Sequence, residues 1–118
     1  MITILLSYFF ILYISLGKEN SFTISRQKVS SRSRKNLFGT TIREILTYEI
    51  IVKNNKNISK EIQIMDQLPI STSKDIEVRP INLSNGTNDL ITGEVKWNIK
   101  LAANEVKKIA IQFEIKYP

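Results

Sequence analysis

Apolar and polar residues alternate with a period of two through most of this chain, and that period predicts strands rather than helices. Phe22 and Ile24 alternate with Thr23 and Ser25, and the same strand runs on over residues 26–29. Residues 30–40 (SSRSRKNLFGT) are polar and basic and end near Gly39, which predicts a loop. Residues 41–54 form the longest predicted strand. Ile42, Leu46, Tyr48, Ile50 and Val52 share one face, Arg43, Thr47, Glu49 and Lys53 share the other, and Ile45 and Ile51 break the pattern. The Asn-rich run 54–57 predicts a turn, because Asn tolerates left-handed backbone and bonds its own chain.

Alternation resumes over residues 60–67, with Ile62 and Ile64 inward and Glu61 and Gln63 outward, until Leu68-Pro69 stops it. Residues 75–79 predict a short strand with Ile76 and Val78 on one side, ended by Pro80. Asn85-Gly86 predicts a tight turn. Residues 94–101 place Val95, Trp97, Ile99 and Leu101 on one face. Residues 102–104 make a short connection. Residues 105–117 place Ile109, Ile111, Phe113, Ile115 and Tyr117 on one face. No segment carries a 3.6-residue apolar stripe. About six or seven strands, each with a single apolar face, predict an all-β fold: an antiparallel β-sandwich of immunoglobulin- or fibronectin-like architecture. A small barrel is the alternative.

The first sixteen residues, MITILLSYFFILYISL, carry no charged side chain and stand apart from the domain expected over residues 17–118. Three readings compete. A secretory signal wants a positive start and a small-residue cleavage site, and neither is present. A membrane anchor wants about 20 apolar residues, which this run does not reach, although Lys18 could flank it. A doubly buried strand loses its alternation, and Ile, Tyr, Phe and Leu suit one. Periodicity does not separate these readings in a short apolar run.

Composition narrows the chemistry. The chain has 118 residues, room for one domain, with 42% hydrophobic and 24% charged residues, an ordinary globular balance. It has no Cys, which removes disulfides, thiolate nucleophiles and Cys-based metal sites. It also has no His, which removes the commonest general base and metal ligand. No catalytic residue, cofactor or metal site is expected. Asp66 follows Ile62 and Ile64 in register, and it reads as a carboxylate accepting backbone N–H bonds in the turn at 67–69 rather than as a ligand. Trp97 lies in phase with Val95, Ile99 and Leu101 and reads as core. Asp75, Glu77 and Asp89 are scattered and match no calcium motif.

The net charge of +6 is uneven. Residues 18–35 hold Lys18, Arg26, Lys28, Arg32, Arg34 and Lys35 against Glu19 alone. Serines interleave the arginines, which suits phosphate, acidic polysaccharide or anionic lipid. Arg26, Lys28, Arg32, Arg34 and Lys35 are therefore the candidate polyanion-binding residues, against the reading of a solvated basic loop. Phe38 is the only nearby aromatic, so a specific nucleic-acid module is not expected.

Several stretches resemble one family. Leu16-Gly17-Lys18, Tyr48-Glu49-Ile50, Asn54-Asn55-Lys56, the run Asp66-Gln67-Leu68-Pro69-Ile70-Ser71, Gly93, Trp97, Leu101 and the terminal Tyr117-Pro118 resemble the C-terminal part of the mucoidy-inhibitor A family. The resemblance spans residues 15–118. It implies a β-rich domain of unknown function from a bacterial, exported or cell-envelope protein that is longer than this chain. It implies an N-terminal domain and a coiled-coil-like segment ahead of this region, and the family name hints at exopolysaccharide control. Residues 1–13 depart from that pattern, as a truncated reading frame or fragment would, and a chain without a signal would stay cytoplasmic. The expectation is a non-catalytic interaction or structural module. Its partner would be the other domains of its parent protein or a separate protein. The alternative is polyanion or polysaccharide binding through residues 26–35. Membrane contact rests on the reading of residues 1–16.

Overall fold

The computed structural model describes residues 2–5, 12–15, 21–35 and 41–118. Among the described residues nine strands follow one another: β1 (Ile2–Leu5), β2 (Leu12–Ser15), β3 (Phe22–Lys35), β4 (Ile42–Asn54), β5 (Lys60–Gln67), β6 (Glu77–Asn82), β7 (Thr87–Asn88), β8 (Glu94–Leu101) and β9 (Val106–Tyr117). They make two sheets, ordered β1-β5-β8-β7 and β2-β3-β4-β9-β6. All pairings are antiparallel except β1 with β5. The fold is an all-β sandwich.

The alternating positions meet between the sheets. Phe22, Ile24, Leu46, Ile50, Val52, Ile109, Ile111 and Phe113 of the larger sheet pack against Ile62, Ile64, Val95, Trp97, Ile99 and Leu101 of the smaller, with Leu68 beside them. Each fully buried aliphatic or aromatic side chain contributes roughly 1.5–3 kcal/mol of transfer free energy. The off-phase Ile45 and Ile51 are half-buried on the outer face of β4.

Three features depart from the expected pattern, each for a physical reason. Residues 30–35 are strand, not loop. β4 extends far enough to pair with them, and a register shift between Lys28 and Ser30 lets the ladder continue past Val29. That makes β3, not β4, the longest strand. Residues 36–40, the rest of the expected loop, lie outside the described residues. Pro80 sits inside β6 rather than ending a strand. β6 is an edge, where a missing N–H costs no ladder bond, and the register shifts again between Pro80 and Asn82. Within the apolar N-terminal run, Ile2–Leu5 pairs with β5 in one sheet and Leu12–Ser15 with β3 in the other.

The turn before β7 departs from expectation as well. Gly86 N–H donates to the Leu83 carbonyl at 2.9 Å, with Ser84 and Asn85 at φ 52° and 62°. The two left-handed residues are thus Ser84-Asn85, one step earlier than Asn85-Gly86. Gly86 is needed for a different reason. A Cβ there would lie 2.6 Å from Trp97 Nε1 and 2.7 Å from a Val95 methyl. Ser84 also ties this turn to β9: its hydroxyl donates to the Ala110 carbonyl at 2.8 Å and accepts from the Ala110 N–H at 2.9 Å.

Candidate functional site

Among the described residues, ionisable chemistry enters the core at one place. Arg26 follows Phe22 and Ile24 on the inward phase of β3, and Asp66 follows Ile62 and Ile64 on the inward phase of β5. The sandwich brings these residues together from opposite sheets. Arg26 Nε donates to Asp66 Oδ2 at 2.7 Å, and both side chains are essentially inaccessible, at 1% and 0% exposure. Asp66 Oδ1 accepts the Gln67 N–H at 2.7 Å, so the expected backbone bond exists beside the ion pair. The Arg26 guanidinium carbon lies 4.4 Å from the Tyr48 ring centroid, and Tyr48 stacks on Phe113 with centroids 6.1 Å apart. An arginine here gains from the aromatic face as well as from the carboxylate.

Burial dominates the titration of this cluster. Desolvation pushes the Asp66 carboxyl above its ordinary value, against the opposing pull of Arg26 and of the Gln67 N–H. Desolvation likewise raises the Tyr48 phenol, again opposed by Arg26. A carboxyl raised by burial is a general-acid candidate when it lines a cleft. Asp66 is sealed from solvent, so the pair acts as a brace across the sheets. Breaking such a pair by removing one partner costs about 3–5 kcal/mol.

A second buried polar group closes one end of the sandwich. Asn54 ends β4 in phase with Ile50 and Val52 and is fully buried. Its side-chain amide donates to the carbonyls of Ile58 at 2.8 Å, Ala102 at 3.1 Å and Leu101 at 3.3 Å, and its oxygen accepts the Lys56 N–H at 3.0 Å. Asn54 therefore holds β4, the β4–β5 turn and the β8–β9 connection together.

The five basic residues singled out from the sequence are not gathered on one surface. Arg26 is in the core, and this corrects its reading as a residue open to a polyanion: its guanidinium is shut between Asp66 and Tyr48. Lys28 and Arg32 are exposed on β3. Lys28 lies across from Tyr48 and Arg32 across from Ile45, on opposite sides of the register shift. Arg34 and Lys35 occupy the end of β3, and their side chains lie outside the described residues. The burial of Arg26 was readable from its phase with Phe22 and Ile24. The pairing with Asp66 needed the sheet order as well.

Among the described residues, the other acids are exposed or partly covered, except Glu114, which is buried. Glu114, on the outer face of β9, lies 3.3 Å from Arg43 Nη1 and 3.5 Å from Arg79 Nη2. The two arginines are 48% and 62% exposed, so solvent screens both pairs and each contributes about 0–1 kcal/mol. Among the described residues, no three of the His, Cys, Asp and Glu side chains converge as metal ligands would. No helix among them is long and apolar enough to cross a membrane.

Asp89 has a local role. Its Oδ1 accepts the N–H groups of Ile91 at 2.9 Å and Thr92 at 3.2 Å, and its carbonyl accepts the Gly93 N–H at 2.8 Å. The first two bonds hold the carboxyl below its ordinary value. They also fix the β7–β8 tip, on which Leu90 and Ile91 are 82% and 86% exposed. Ile70 and Ile76 are exposed at the same end of the molecule, where they line a cleft of about 270 Å³ together with Leu90. The sequence signal for this patch was weak. Leu90 and Ile91 are adjacent residues in a loop, outside any alternating run.

The family model described as a domain of unknown function, DUF4139, matches residues 3–118. No curated protein and no solved structure matches the chain.

Proposed function

The chain belongs to the DUF4139 family, and from that premise we propose that it is a non-catalytic docking module that presents its β7–β8 tip to a protein partner. The observation that carries this reading is the tip itself. Two large aliphatic side chains stand almost fully in water, yet the backbone beneath them is fixed by the Asp89 carboxylate and the Gly93 N–H. Preorganised apolar residues of this kind suit an interface anchor, because little entropy remains to be lost on binding. The core ion pair supports the same reading, since it occupies the buried carboxylate that could otherwise serve as an acid. The resemblance to the mucoidy-inhibitor A family favours a cell-envelope setting, with the module as the C-terminal part of a longer exported protein.

The test is site-specific photocrosslinking in cells, with the crosslinker at Ile91 and, as a control, at Asn104 in the distant β8–β9 turn. A discrete protein adduct from Ile91 alone is expected. Equal diffuse labelling from both positions, or none from either, rejects the reading. A second reading, polyanion binding, rests on the exposed Lys28 and Arg32. It requires affinity for an acidic polysaccharide that weakens with salt and falls on Lys28→Glu and Arg32→Glu substitution; salt-independent retention sinks it.

A further inference from the structure

The smaller sheet is left open along part of β8. β7 covers only Val95 and Lys96, so among the described residues no strand pairs with residues 97–101 on that side. The direction of the free groups follows from the ladder. Asp89 N–H donates to the Glu94 carbonyl, so Glu94 turns its polar groups toward β7. Backbone groups in an antiparallel strand alternate sides, and the same side therefore receives the N–H and C=O of Asn98 and Lys100. β9 behaves alike across the sandwich. Ala110 N–H points at Ser84, away from β4, so Lys108 points the same way, beyond the reach of β6.

Between these two open edges lies a cleft of about 330 Å³. Trp97, Ile99 and Ile109 contribute its apolar lining, and Lys96, Lys107 and Lys108 its charge. Among the described residues, no carboxylate lines it. Lys96 makes a half-exposed pair with Glu94 at 3.2 Å, and Lys108 lies 3.9 Å from Glu49. Both are surface pairs that a competing anion can displace at low cost. Lys100 is exposed one step further along β8.

The geometry points to β8 as an acceptor edge for an extended acidic peptide of a partner protein, added as a strand beside residues 97–101. The backbone of Asn98 and Lys100 supplies the ladder, and the lysines pair with acidic side chains. Charge selects the occupant. Lysines on an edge repel another basic edge, including that of a second copy of this chain, which has a net charge of +6. A strand bearing Glu or Asp meets the opposite condition, and main-chain bonds then give affinity while charge gives specificity. The proposal rests on the docking reading above but uses a surface distinct from the β7–β8 tip.

The experiment uses the full chain and a fluorescent peptide alternating Glu and Val, with its Lys-Val counterpart and inorganic polyphosphate as comparators, at low ionic strength. The acidic peptide is expected to bind and the basic one not to. Lys107→Glu and Lys108→Glu are each expected to weaken binding about tenfold. The amides of Asn98 and Lys100 should gain hydrogen-exchange protection on binding. Asn98→Pro, which removes an edge N–H and leaves every lysine in place, should abolish binding while the circular-dichroism melt is retained. If that variant does not fold, the exchange measurement on the unsubstituted chain decides.

Polyphosphate binding as tightly as the peptide, with no amide protection, would mean a plain anion site and overturn the strand. No binding of the acidic peptide would mean that the lysines only guard the edge, and would equally overturn it. Neither result touches the photocrosslink from Ile91, so failure here is distinguishable from failure of the docking reading.

Discussion

Arg26 and Asp66 carry opposite charges into a core that excludes water, and each is tolerable only because the other is present. Arg26→Met leaves the Asp66 carboxylate buried without its cation and should cost about 3–5 kcal/mol at neutral pH. The pH dependence has a definite sign. The Asp66 pKa is already raised by burial, and loss of Arg26 removes the main force opposing that rise. A carboxyl whose folded pKa exceeds its unfolded value takes up its proton first in the folded state, so stability falls as pH rises through the interval between the two. The Arg26→Met variant should therefore regain stability on acidification, read by urea midpoints at several pH values. A flat profile would show that water reaches Asp66. The double variant Arg26→Met with Asp66→Leu leaves no buried charge and should melt above the single variant. Asp89 titrates with the opposite sign. Its folded pKa is lowered, so its hold on the tip is complete above the ordinary carboxylate value and is lost as pH falls through the lowered one. Exchange of the Ile91 and Thr92 amides should accelerate there, and Asp89→Ala should show the fast rate at every pH. Equal protection in Asp89→Ala would mean that the tip is held by other bonds.

Strand identity was legible in the sequence wherever alternation dominated. Residues 41–54, 60–67, 94–101 and 105–117 became β4, β5, β8 and β9 with the expected faces inward. It failed where tertiary pairing outweighed local composition. Ser and Arg over residues 30–35 read as loop, yet β4 offers them a ladder. Pro80 read as a stop, yet an edge strand does not need its N–H. The Asn85-Gly86 pair marked the turn but not its register, because Gly86 is set by contact with Trp97 rather than by its own dihedral. That difference is measurable. Gly86→Ala forces a methyl to within 2.6 Å of the indole nitrogen. It should cost about 1–3 kcal/mol as an overpacked site. It should also blue-shift or broaden Trp97 fluorescence as the Nε1 bond to the Leu83 carbonyl, now 2.8 Å, is displaced. Unchanged stability and spectrum would mean that the turn can slide outward freely. The candidate site was less legible than the strands. Phase placed Asp66 inward, but Arg26 was read as a polyanion contact despite its phase with Phe22 and Ile24, and no sequence period states that β3 and β5 face each other.

At the scale of the whole molecule, the two sheets are joined by polar pins as well as by apolar packing. Arg26–Asp66 crosses the interior at the β5 end nearest Gln67, and Asn54 closes the opposite end beside Leu101 and Ala102. Between them the apolar side chains of both sheets interdigitate, with Trp97 of the smaller sheet facing residues of the larger. Neither sheet can leave without exposing the shared core and both pins, so unfolding should be a single transition. Far-ultraviolet circular dichroism, which follows both sheets, and Trp97 fluorescence, which follows the interface, should give coincident curves. Asn54→Ala strips three carbonyls of their donor and should cost about 1–3 kcal/mol. The pins lie at opposite ends of β5 and share no partner. Their losses in the Arg26→Met, Asn54→Ala double variant should therefore add to within about 0.5 kcal/mol. A fluorescence transition preceding the dichroism transition, in any of these variants, would mean that the sheets part before they melt. The sandwich would then be two marginal sheets held by their pins rather than one cooperative core.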